Sequence, residues 1–91
     1  MALEDVVVVV FEAVNATLKE IYVGAALRPT SLEEIARKHR ALLPQPVNHW
    51  HPDDAIAYRV VEEALPLRDR RDFIRSYAVQ IAKDGWRVIA D

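Results

Sequence analysis

The chain has 91 residues, of which 52% are hydrophobic and 29% charged, and its formal net charge at pH 7 is −2. This length predicts a single domain over residues 1–91, and the small core that it can bury leaves room for stabilisation as a homodimer. The weak negative charge argues against tight nonspecific binding to nucleic acid, which needs many Lys and Arg side chains on the phosphates. The absence of cysteine excludes disulfides and thiolate metal sites and fits a reducing compartment, so we expect a cytoplasmic protein.

The N-terminal third of the chain predicts a β-hairpin. The valine run Val6–Val10 is too short to span a membrane and follows two acidic residues rather than a basic stretch, so we expect a buried central strand within residues 3–14 and no membrane partner. Residues 15–17 supply turn chemistry, and alternating faces over Leu18–Ala26 predict the second strand.

Gly24 interrupts the second predicted strand two residues after Tyr22, in a chain with only two glycines. Glycine inside a strand lacks a side chain to pack and often marks a bulge or a close approach of backbone or ligand. Two interpretations follow from the pattern: a bulge where the strand ends, or a backbone opening at a shallow cleft beside Tyr22.

Helical signals dominate the rest of the chain. Ser31 followed by Glu34 is a capping box that begins a helix running to about residue 40, with Leu32, Ile35, Ala36 and His39 on its inner face. Residues 47–51 suggest a short edge strand. Pro52 with Asp53 and Asp54 predicts a second helix over 52–65, periodic apolar residues predict a third over 68–84 capped at Gly85, and residues 86–90 suggest a last strand.

These elements predict an α+β fold. We expect a small antiparallel sheet of three to four strands, with a strand of the N-terminal hairpin at its centre and three helices flanking it.

The hairpin and the capped helix together resemble the GIY-YIG nuclease domain. Tyr22-Val23-Gly24 stands where the second motif of that family would be, and Val9-Val10-Phe11 stands where the first would be, without its glycine and with phenylalanine in place of tyrosine. Residues 73–77 and 85–89 are similar to the family's last helix and closing strand, so the resemblance extends over most of the chain.

The resemblance implies a catalytic set. Such a nuclease needs a phenol near the attacking water, an arginine beside the phosphate and a glutamate that holds a divalent cation such as Mg²⁺. Candidates for the catalytic residues are Tyr22, Arg37, His39, Glu62 and Glu63. Alignment on the last helix puts Arg70 where the acid should stand, and arginine repels a cation.

We therefore expect a GIY-YIG-like binding module for nucleic acid or protein that lacks catalysis and needs no cofactor. One alternative is an active metal-dependent DNA endonuclease, and a second is a ligand-free domain that dimerises through an open sheet edge or through exposed apolar residues near Val47 and Trp50.

Basic residues form a candidate binding surface for the first hypothesis. The candidate nucleic-acid contacts are Gly24, Lys38, Arg40, Arg68, Arg71 and Arg75. For the arginines of residues 68–75, a solvated start of a helix is the competing interpretation.

The segment His49-Trp50-His51-Pro52-Asp53-Asp54 concentrates potential metal ligands. Two histidines on one side of a strand and two following aspartates could hold Zn²⁺ or Mn²⁺. The competing interpretation, which we favour, is that the aspartates stabilise a helix start and that no metal binds.

Overall fold

A computed structural model of the chain describes residues 6–27, 31–51, 53–82 and 84–90. In chain order its elements are strand β1 (Val7–Asn15), strand β2 (Glu20–Leu27), helix α1 (Leu32–Ala41), a 3-10 turn (Gln45–Val47), strand β3 (Ile56–Pro66), a second 3-10 turn (Leu67–Asp69), helix α2 (Arg70–Gln80) and strand β4 (Arg87–Ala90). The sheet has the order β3-β1-β2-β4. The predicted α+β class is confirmed.

Strand β1 lies inside the sheet and separates two hydrophobic clusters. It pairs antiparallel with β2 on one edge and with β3 on the other, which confirms the predicted hairpin and the central strand. Val9, Phe11 and Ala13 belong to the cluster that includes Ile35 of α1. Val8 and Val10 belong to the cluster under α2. The two helices therefore cover opposite faces of the sheet.

Strand β4 makes the sheet mixed rather than antiparallel. It pairs parallel to β2, so the prediction of an antiparallel sheet is wrong in this respect. Strands β2 and β3 run in the same direction because both are antiparallel to β1. Helix α2 crosses over the sheet after β3, so β4 enters the sheet in the same direction as β3 and therefore parallel to β2.

Strand β3 replaces the helix that was predicted over residues 52–65. Its register against β1 shifts twice, first between the Phe11–Val60 and Val10–Glu62 pairs and again before the Val8–Leu65 pair. Each shift adds a residue to β3 and breaks the alternation that identifies a strand. Apolar residues on both faces then recur at a spacing that resembles a helix, which is why a helix was predicted. That prediction is wrong, and among the described residues there are two α-helices rather than three.

The predicted edge strand over residues 47–51 is also wrong. Gln45–Val47 is a 3-10 turn, and the Trp50 amide donates to the Val47 carbonyl at 2.9 Å. Val47 is fully buried and Trp50 is 3% exposed. These two residues therefore offer no exposed apolar surface to a second copy of the chain.

Helix α1 begins as predicted. The Ser31 side chain accepts a hydrogen bond from the Glu34 amide at 3.2 Å, and Ile35 and His39 are the buried residues of the inner face.

Helix α2 is shorter than the predicted 68–84. Residues 67–69 form a 3-10 turn, the helix ends at Gln80, and Gly85 adopts φ 82° in the following turn rather than capping the helix. The parts of the predictions that fall on residues 3–5, 28–30, 52 and 83 lie outside the described residues.

Gly24 lies within β2, opposite Phe11, in a register that continues without a shift from Val8–Leu27 to Asn15–Glu20. The bulge predicted there is absent. A Cβ atom at this position would lie 2.7 Å from Cε2 and 2.9 Å from Oη of Tyr22. The Tyr22 ring therefore lies along the strand and covers Gly24, so the glycine is required by the packing of its own neighbour.

Gly24→Ala is expected to lower the free energy of unfolding by about 1–3 kcal/mol, because Tyr22 is 4% exposed and its ring cannot swing into solvent without loss of packing. In a Tyr22→Ala background the same change is expected to be neutral or stabilising, since alanine is otherwise favoured over glycine in a strand. Urea unfolding of the four proteins of this double-mutant cycle measures the difference. Equal costs of Gly24→Ala in both backgrounds would contradict this account of the glycine.

Candidate functional site

An open cleft of about 690 Å³ lies between the hairpin and α1. Its walls are mainly apolar, and two large apolar side chains there, Leu27 and Leu42, are 62% and 83% exposed. The described residues that line it are Phe11, Tyr22, Ala25, Ala26, Leu27, Ile35, Arg37, Lys38, His39, Ala41, Leu42 and Pro44. The volume is within the range of small-molecule sites, about 300–1,000 Å³.

His39 forms part of the cleft wall and sits in a cage of aromatic rings. Its ring centroid is 5.3 Å from that of Tyr22, 5.4 Å from Tyr58, 6.0 Å from Trp50 and 6.1 Å from Phe11. These rings come from β1, β2, β3 and the segment after the first 3-10 turn, so the cage joins four parts of the chain around one side chain. His39 itself is 7% exposed.

The polar atoms of this cage are unevenly satisfied. His39 Nδ1 lies 2.7 Å from Tyr58 Oη. Arg40 donates to the Ile56 carbonyl at 2.7 Å, and its guanidinium carbon lies 5.6 Å from the centre of the Tyr58 ring. Among the described residues, Nε2 of His39 has no hydrogen-bond partner although it is buried.

The same surroundings set the protonation states. Burial, with a smaller contribution from the nearby Arg40 charge, lowers the pKa of His39 from 6.5 to about 4. Burial also raises the pKa of Tyr58. At neutral pH the imidazole is therefore uncharged and the phenol keeps its proton.

Two cations stand at the cleft beside this neutral cage. The side chains of Arg37 and Lys38 are 71% and 65% exposed. Both share one carboxylate: Glu34 Oε1 is 3.2 Å from Lys38 Nζ and 4.0 Å from Arg37 Nη2. No acidic residue is among the described residues that line the cleft. An exposed pair of this kind is worth little, so an incoming anion can displace Glu34.

The structure brings part of the predicted catalytic set together. Tyr22, Arg37 and His39 all line the cleft, and so does Lys38 from the predicted nucleic-acid contacts. Glu62 and Glu63 are on β3, and neither lines the cleft. Glu62 is opposite Val10, whose side chain packs under α2.

The remaining predicted contacts are distributed differently. Arg40 is directed toward β3 through its bond to the Ile56 carbonyl, and Gly24 lies under the Tyr22 ring. Arg68, Arg71 and Arg75 belong to α2 and the turn before it. Because α1 and α2 cover opposite sheet faces, Arg71 and Arg75 lie on the other face of the sheet from Arg37 and Lys38.

Two members of the cage, Tyr58 and Trp50, were not predicted as site residues. Tyr58 was placed in a helix, and Trp50 on an edge strand. The alternation of Ile56, Tyr58 and Val60 was the available signal, since these three residues all pack in the cluster on the α1 face.

The potential metal ligands of residues 49–54 serve as hydrogen-bonding groups. His49 pairs with Glu20, and Asp54 accepts from the Asn15 side chain and from the His51 amide, each at 2.9 Å. Over the described part of the chain, no group of three or more His, Cys, Asp or Glu residues could hold a metal ion.

Glu20 anchors this segment to β2. Trp50 Nε1 donates to Glu20 Oε1 at 2.7 Å, and Glu20 Oε2 lies 3.9 Å from Arg87. Although burial acts in the opposite direction, the hydrogen bonds from Trp50 and His49 hold the pKa of Glu20 below its usual value. This carboxylate fixes the position of the Trp50 ring in the cage.

A second polar cluster, on the α2 face, is fully paired. Arg59 Nε donates to Glu12 Oε1 at 2.8 Å, Tyr77 Oη donates to Glu12 Oε2 at 2.7 Å, and Arg59 Nη2 donates to Tyr77 Oη at 2.7 Å. Because every member has a partner, this cluster joins β1, β3 and α2.

Comparisons with known proteins give no relative: no family model, no curated protein and no solved structure matches the chain. The resemblance to the GIY-YIG nuclease domain stays a prediction. In the described residues, no helix is long and apolar enough to cross a membrane.

The neutral state of His39 predicts a pH dependence of stability. As the pH falls from 6.5 toward 4, the unfolded chain takes up a proton at this residue before the folded chain does, so the free energy of unfolding decreases. We expect a loss of about 2 kcal/mol over this window after allowance for solvent screening, and no contribution above it.

Urea unfolding of wild type and His39→Phe between pH 4 and 7.5 measures this loss, because other titrating groups cancel in the difference. His51→Gln, which replaces an exposed histidine, is the matched control for the loss of a histidine side chain. The same slope in His39→Phe as in wild type would contradict a neutral His39.

Proposed function

We propose that this chain is a non-catalytic binding module for single-stranded nucleic acid, and that the cleft between the hairpin and α1 is its binding site. The observation that carries the proposal is the combination within one cleft of a mainly apolar wall, in which Leu27 and Leu42 are exposed, with two exposed cations, Arg37 and Lys38.

The two parts of the cleft match the two parts of a nucleotide. Arginine and lysine bind phosphate oxygens through charge-assisted hydrogen bonds. Unstacked bases bury their flat faces on apolar and aromatic side chains. A paired duplex hides those faces, so the cleft favours single strands, loops or ends over double helices.

The overall charge of −2 agrees with a small, local contact rather than an extended basic surface. The arginines of α2 lie on the other side of the sheet, so a strand bound at the cleft does not touch them. We therefore expect a short footprint and weak to moderate affinity. A cysteine-free chain with such a ligand is expected in the cytoplasm.

The alternative of a metal-dependent endonuclease has less support. Such an enzyme needs a carboxylate at the cleft to hold Mg²⁺, and neither Glu62 nor Glu63 is among the lining residues. The dimerisation alternative loses one of its two proposed contacts, since Val47 and Trp50 are buried.

Replacement of both Arg37 and Lys38 by alanine is expected to weaken binding of a fluorescent 12-nucleotide DNA strand roughly tenfold at low salt, because two phosphate contacts are lost. The slope of log affinity against log salt concentration should become shallower by about 1.4, which is the value for two phosphates of a single strand. Fluorescence anisotropy over a range of salt concentrations measures both quantities.

The matched control is the double change Arg71→Ala and Arg75→Ala, which removes two exposed cations from the opposite face of the sheet. This variant should retain most of the affinity and the wild-type slope. Absence of salt-dependent binding by wild type would contradict the proposal, and Mg²⁺-dependent cleavage of the strand by wild type would contradict its non-catalytic part.

A further inference from the structure

We infer that the cleft takes one unstacked nucleotide, whose base accepts a hydrogen bond from Nε2 of His39 while its phosphate lies on Arg37 and Lys38. This inference rests on the proposed function and adds to it a residue that recognises the base. The evidence for this residue is the position of His39 Nε2, which is buried without a hydrogen-bond partner among the described residues.

The hydrogen bond between Tyr58 and His39 determines which imidazole nitrogen of His39 carries the hydrogen. We assign Tyr58 Oη as the donor to His39 Nδ1 across 2.7 Å, because a phenol is a stronger donor than a neutral imidazole N–H and an imidazole nitrogen is a stronger acceptor than a phenol oxygen. In a neutral imidazole the hydrogen is then on the other nitrogen, Nε2. This N–H is buried without an acceptor among the described residues.

A buried N–H group without a partner is unfavourable, and native proteins rarely leave one in that state without a reason. His39 contributes to the wall of the cleft with only 7% of its surface exposed, so a ligand reaches Nε2 when the side chains that cover this atom move aside. The surroundings of the ring are otherwise aromatic. A ligand with an apolar flat body and an acceptor atom at its edge would satisfy the group. A ligand without the acceptor would leave it unsatisfied.

The charge of the cleft determines which of these ligands it favours. The two cations at the cleft, Arg37 and Lys38, share the single carboxylate of Glu34, so one positive charge is left for an anionic end of the ligand. All four bases carry ring or carbonyl acceptors, and a nucleotide adds a phosphate to the base. The volume of about 690 Å³ is large enough for one nucleotide.

Three probes separate the parts of this site. Inorganic phosphate can occupy only the cations, phenyl phosphate adds a flat ring without an acceptor, and adenosine 5′-monophosphate adds a ring with acceptors. Titrations by NMR are expected to give roughly tenfold tighter binding for the mononucleotide than for phenyl phosphate. His39→Phe, which keeps a ring of similar size, should weaken mononucleotide binding by about that factor and leave phenyl phosphate binding unchanged.

A second measurement uses the wild-type protein and does not depend on the folding of the variant. A long-range ¹H–¹⁵N spectrum of the histidine rings should show Nε2 of His39 protonated and Nδ1 unprotonated. The Nε2 resonance should move when adenosine 5′-monophosphate is added and stay in place with phenyl phosphate or inorganic phosphate.

The outcomes are distinguishable from those for the proposed function. If the 12-nucleotide strand binds with the expected salt dependence but the His39 resonance does not move with the mononucleotide, the inference is overturned and the binding module stands. Equal affinities for phenyl phosphate and the mononucleotide overturn it in the same way. If neither the strand nor any probe binds, both proposals fail together.

Discussion

The structure depends on one constraint: β1 must be buried on both faces and paired on both edges at once. Its side chains alternate between two hydrophobic clusters, and its backbone bonds to β2 and β3. Each cluster then needs its own helix, which places α1 and α2 on opposite faces of the sheet. This arrangement separates the two polar clusters as well, so that Glu12, Arg59 and Tyr77 stabilise one face while the cage around His39 stands on the other. The cleft lies on the α1 face, where the helix leaves the end of the hairpin partly uncovered.

Much of this fold could be predicted from local sequence signals. The valine run predicted a strand covered on both faces, and the Ser31–Glu34 pair predicted the start of α1, because these signals act over a few residues. Strand β3 was mistaken for a helix because its two register shifts depend on pairing with β1, which is distant in sequence. The parallel placement of β4 was missed for the same reason, since its direction follows from that of β3.

The candidate site was likewise predicted only in part. The family resemblance implied Tyr22, Arg37 and His39, and the basic residues of the first helix suggested Lys38. The correctly predicted hairpin and helix place all four side chains at one cleft. Tyr58 and Trp50 were missed because their elements were misassigned. The glutamates at positions 62 and 63 were considered through a helix that the chain does not form, and the arginines near α2 could be placed on the far side of the sheet only once the two clusters along β1 were known.

The two register shifts in β3 also affect how the molecule meets other copies of itself. β3 is an edge strand of 11 residues, and a flat edge of that length presents free N–H and C=O groups to any extended chain in solution. The extra residues interrupt the even spacing that such a chain would need, and Arg59, Glu62 and Glu63 add charge along the edge. The two register shifts that made β3 hard to recognise in the sequence therefore also protect the folded protein against edge-to-edge aggregation.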